Sequence, residues 1–109
     1  MEPCNLDNQP AYNLRREERY RFDARGKYRR GTGRGYEVLL LDVSEYGCRF
    51  CDPVGKLTRG DIITVRMGSV GPIMAVVKWR DRHFVGIEFK QPLYPSVLDH
   101  IVAENSLAQ

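Results

Sequence analysis

Six short runs of strand-forming residues, each closed off by glycine, proline or aspartate, constrain this chain more than any other feature. Runs this short that alternate apolar and polar side chains suit strands with one buried face, and their close spacing indicates an antiparallel barrel or sandwich. The first runs from Phe22 to Arg30, ahead of the hairpin loop Gly31-Thr32-Gly33-Arg34-Gly35. The second, Tyr36 to Val43, is apolar on both faces, with Leu39, Leu41 and Val43 on one and Val38 and Leu40 on the other. Burial on both sides calls for a cover outside the sheet. Short runs follow at Cys48 to Cys51, Ile62 to Met67, Ile73 to Arg80 and His83 to Phe89, with Gly68 to Pro72 and Asp81-Arg82 as turns. After Pro95 the period changes. Val97, Leu98, Ile101 and Val102 recur at helical spacing behind Ser96 and Asp99, predicting a C-terminal helix of roughly ten residues that lays an apolar stripe on the sheet. That helix is the candidate cover for the second strand.

At 109 residues there is material for one core. Residues 1–13 are polar, broken by two prolines and without period, which predicts a mobile tail; residues 14–107 form the single domain. The longest apolar run, Ile73 to Val77, cannot span a bilayer, and the opening residues lack the basic and apolar regions of a secretory leader. Three cysteines cannot all pair, which suits a reducing cytoplasm. Charge is unevenly placed. Residues 1–35 carry nine Lys/Arg and five Asp/Glu, net +4, and residues 36–109 carry eight and nine, net −1. The excess is local, which favours a discrete anion site over a DNA-binding surface.

Two stretches carry candidate chemistry. Arg15-Arg16-Glu17-Glu18-Arg19 places Arg15 and Arg19 four apart, on one face of either an extended or a helical segment. A guanidinium fork matches two phosphate oxygens or the O6/N7 edge of guanine. Read alone, the segment favours a solvated face in which Glu17 and Glu18 neutralise their neighbours. Asp42-Val43-Ser44-Glu45-Tyr46-Gly47 lies between two strands, and in a strand Asp42 and Ser44 share a face. The same residues also suit a side-chain-capped turn with Gly47 at positive φ. Trp79 can stack on a base or pack in the core.

Other patterns carry less. Cys48 and Cys51 have C-x-x-C spacing, but residues three apart on a strand face opposite ways, and no second Cys/His pair completes a metal site, so both read as core or near-core thiols. His83 and His100 lack partners in sequence. The loop at Gly31 to Gly35 does not open a helix, so it lacks the context of a phosphate-cradling loop. No nucleophile–base arrangement supports an enzyme; no catalytic residue, metal or cofactor is assigned.

Taken together, the Arg-x-x-x-Arg pair and the Asp-x-Ser-x-x-Gly stretch, separated by one strand, resemble the PilZ family, as do Lys78-Trp79-Arg80 and Val85-Gly86-Ile87-Glu88-Phe89. The resemblance covers residues 14–105. It implies an all-β, six-stranded antiparallel barrel with a C-terminal α-helix, and cyclic di-GMP as ligand. It implies that Arg15 and Arg19, with Arg16 doubling the first, clamp guanine and phosphate. Asp42 and Ser44 would take guanine or ribose–phosphate contacts, and Gly47 would keep the turn tight. Leu14 stands where the family often has a further arginine that helps hold a second ligand, which favours one ligand per site. The function expected is a cytoplasmic receptor that orders on binding and signals to an effector protein. The alternatives are a ligand-independent interaction module of the same fold and a small nucleic-acid-binding barrel.

Overall fold

The computed structural model describes residues 20–105, and side chains from 25 to 104. Six strands, β1 (Tyr20–Arg29), β2 (Gly35–Val43), β3 (Gly47–Cys51), β4 (Ile62–Met67), β5 (Val70–Asp81) and β6 (Phe84–Phe89), precede one helix, α1 (Pro95–Asn105). All neighbours are antiparallel, and the order β1-β2-β3-β6-β5-β4 closes because β1 also pairs with β4. Closure leaves no strand edge to template association. Leu57, from the loop between β3 and β4, and Leu93, Leu98 and Ile101, from the segment after β6, join the strand residues in one core cluster. Among the described residues no helix is long and apolar enough to cross a membrane.

The element order and type agree with the sequence reading, and the differences have local causes. The expected turn at Gly68 to Pro72 shrinks to Gly68-Ser69, since Val70 already pairs with Met67. The ladder between β4 and β5 is irregular between Val65 and Met67, and such an irregularity lets a strand carry Pro72, which has no N–H to donate. β6 begins at Phe84 because Arg82, at φ 58°, turns the chain there.

The face assignment of β2 is corrected by a bulge. Leu40 opposes Phe50 and Asp42 opposes Arg49, so Leu41 has no counterpart on β3; β1 is irregular at the same level, between Arg21 and Ala24. One extra residue inverts the alternation. Val43 therefore joins Val38 and Leu40 in the core, and Asp42 falls on the outer face. Leu41 is buried outside the core cluster. The helix is not β2's cover. Its main strand contact is β1, and it is tied to the β4–β5 turn, where Ser69 donates from its N–H (3.2 Å) and hydroxyl (3.1 Å) to Glu104 Oε1. Those bonds hold the Glu104 carboxyl below its usual pKa.

Candidate functional site

The link from β2 to β3 is built by Ser44. Its backbone N–H donates to the Gly47 carbonyl at 2.8 Å, and its Oγ accepts from the N–H groups of Tyr46 (3.1 Å) and Gly47 (3.3 Å). A serine hydroxyl that satisfies turn amides is a side-chain-capped turn. Ser44 thus lies past the end of β2 and is not a strand neighbour of Asp42. Gly47 is the first residue of β3 and does not occupy the left-handed region. A Cβ there would stand 2.1 Å from the Ile87 carbonyl oxygen, so the close approach of β6 requires glycine. The turn is also held from outside: Phe89 donates to the Tyr46 carbonyl (2.8 Å) and Leu93 to that of Glu45 (2.9 Å).

Beside this turn runs a row of residues across five strands. Arg21 pairs with Asp42, Asp42 with Arg49, Arg49 with Gly86, and Gly86 with Trp79. Asp42 is fully buried, and Arg49, nearly so, donates from Nε to its Oδ2 at 2.7 Å and from Nη2 to the same oxygen. A buried carboxylate needs such a partner, and a guanidinium supplies it with two N–H groups. Gly86 offers no side chain, and the indole of Trp79 lies over it. Trp79 is half-buried and outside the core cluster. Asp42 and Trp79, 37 residues apart, stand on one outer face with Arg49 between them; Ser44 and Gly47 shape the adjoining turn. Arg49 went unassigned in the sequence because its pairing depends on the bulge; its place five residues after Ser44 gives no signal.

Arg15, Arg16 and Arg19 lie outside the described residues. Of the cysteines, Cys48 is buried in the core. Cys51 is buried too, yet is disulfide-bonded, which corrects its reading as a thiol. Among the described residues no group of three His, Cys, Asp or Glu could hold a metal.

A second polar cluster sits beside Leu57. Tyr28 donates its hydroxyl to Asp52 Oδ2 (3.1 Å), and Arg80 reaches Asp52 Oδ2 (3.4 Å), the Asp52 carbonyl (3.1 Å) and the Leu57 carbonyl (3.3 Å). It ties the loop carrying Leu57 to β1 and β5. Burial, and then the Asp52 carboxylate, push the Tyr28 phenol well above its ordinary pKa.

The described residues thus form a closed six-stranded antiparallel barrel with one C-terminal helix and a serine-capped turn flanked by a buried carboxylate. The family profile for the PilZ domain matches residues 13–104, and the chain belongs to that family. PilZ domains are binding and adaptor domains, and the family binds cyclic di-GMP. A search of curated proteins returned no match.

Proposed function

We propose that this protein is a receptor for cyclic di-GMP, and that residues 14–107 form its single domain. Arg15, Arg16 and Arg19 bind one ligand against Asp42, Ser44, Gly47 and Trp79, and the rearrangement is passed to an effector protein. One observation carries this reading: β1 starts at Tyr20, directly opposite Val43. Arg19 is joined to Tyr20 by one peptide bond, a Cα step of about 3.8 Å, so covalent geometry alone keeps Arg19 close to the strand end that faces Val43. Two dozen residues of sequence separation collapse to neighbouring strands.

The chemistry is matched. The ligand carries two phosphate charges for the arginines, and guanine N1–H and N2–H₂ are donors that Asp42 can accept. Trp79 offers a ring face to a base. An output route is built in, since the Glu45 carbonyl holds Leu93 and Leu93 belongs to the core cluster that includes Leu98 and Ile101 of the helix. A ligand that shifts the turn would move that bond.

Calorimetric titration of cyclic di-GMP into wild type, Arg15→Ala and Arg19→Ala tests the assignment. Each variant is expected to lose about 1–3 kcal/mol of binding with its fold intact. Unchanged affinity in both defeats the site. No wild-type binding at all leaves a ligand-independent interaction module, and steep salt-dependent binding to oligonucleotides would favour a nucleic-acid-binding barrel.

A further inference from the structure

On the other side of the barrel, β1 and β4 bring three cations together, and among the described residues none of the three is in an ion pair. Lys27 opposes Arg66 directly in the ladder, and Arg29 opposes Thr64. Tyr28 and Val65 point into the core, so Lys27, Arg29, Thr64 and Arg66 all project outward. They line a cleft of about 230 Å³, bounded also by Gly31 and Pro72. The nearby carboxylates form their ion pairs with other residues: Glu37, which opposes Lys27 across the β1–β2 ladder, with Arg25 at 3.7 Å, and Asp61 with Arg30 at 3.6 Å. Among the described residues, no carboxylate pairs with Lys27, Arg29 or Arg66.

Like charges directly opposite in an antiparallel pair destabilise the sheet. This arrangement contributes nothing to the core, since all three head groups lie outside it. What it does provide is two guanidinium forks, an ammonium and a hydroxyl on one concave surface. We propose that the β1–β4 cleft is a second anion site that takes a phosphate monoester group. Such a group carries close to two negative charges and three strong acceptor oxygens, whereas a carboxylate has one charge and two oxygens. Three cations and the Thr64 hydroxyl match the former.

The cleft is separate from the dinucleotide site. Along β1, Arg21 is the residue opposite Asp42, and Lys27 and Arg29 follow six and eight residues later. At about 3.3 Å per residue that is roughly 20 Å or more along the strand, and the cleft opens toward β4, not β3.

The test compares the full chain with Lys27→Gln/Arg66→Gln and with Arg15→Ala/Arg19→Ala. Amide shifts are followed during titration with inorganic phosphate and with a nucleoside 5′-monophosphate, against sodium chloride at equal ionic strength. Shifts are expected at Lys27, Arg29, Thr64 and Arg66. The dissociation constant should rise at least about tenfold in the cleft variant and stay unchanged in the Arg15/Arg19 variant. The tighter of the two probes identifies whether the group is recognised free or on a nucleoside. A midpoint of thermal unfolding raised by phosphate in wild type, and not in the cleft variant, gives the same answer by linkage. Equal binding in wild type and the cleft variant overturns the proposal, as does loss of binding in the Arg15/Arg19 variant. A single-stranded oligonucleotide that binds more tightly than either phosphate, with steep salt dependence, overturns it too.

Discussion

Replacing Gly47 by alanine separates what the fold demands of this residue from what a ligand would. The new Cβ would lie 2.1 Å from the Ile87 carbonyl oxygen, with the Ile87 carbonyl carbon at 3.2 Å and Glu88 Cα at 3.3 Å. A relaxed carbon–oxygen contact needs roughly 3.3 Å, so the two strands must part by about 1 Å. The obstacle is backbone and cannot rotate away: Gly47 pairs with Glu88, and its N–H bonds to Ser44. Overpacking of this kind costs about 1–3 kcal/mol, and disturbed ladder and turn bonds place Gly47→Ala at the upper end. We expect a loss of about 2–3 kcal/mol, a fall of roughly 10–20 °C in Tm for a domain of this size. Far-UV circular dichroism melts and urea titration both read it. Stability within about 0.5 kcal/mol of wild type would refute the steric argument. Ligand titration well below the variant's Tm completes the experiment, because a weak-binding Gly47 variant is otherwise ambiguous between a lost contact and a lost turn.

Gly86→Ala meets a side chain instead of backbone: its Cβ would fall 2.2 Å from Trp79 Cε2 and Nε1, and the indole can swing out. The expected cost is smaller, about 1 kcal/mol, with a red shift in the fluorescence of the chain's single tryptophan; an unshifted spectrum would show that the ring does not lie over residue 86. Alkaline pH probes the Tyr28–Asp52 pair. With the folded phenol raised above its ordinary value of 10.0, unfolding releases the proton first, so the contribution is fully present below about pH 10 and is lost as pH rises toward the folded pKa. Tyrosine absorbance should show one late-titrating ring, and Tyr28→Phe should remove both it and the alkaline slope in stability; an unchanged slope would assign the effect elsewhere.

Much of this molecule was legible from one-dimensional pattern. Strand alternation survives in β4, where Ile63, Val65 and Met67 point inward, and the helix was marked by Ser96, Asp99 and the spacing of Leu98 and Ile101. Those signals depend on a residue and its near neighbours, so a local reading finds them. The Asp-x-Ser-x-x-Gly stretch was legible too, and its serine caps the turn as a serine between strands can. What the row of residues could not reveal is which way Asp42 faces. Strict alternation from Leu40 would have grouped it with the interior; the bulge at Leu41 turned it outward and gave it Arg49. A bulge is a mismatch in length between paired strands, so it exists only once β1, β2 and β3 are in register. Ile87 forbidding a side chain at Gly47, and Trp79 lying across Gly86, are also contacts between strands distant in sequence. Local periodicity writes the elements of this barrel, whereas register between strands, fixed when the sheet closes, decides which side chains meet.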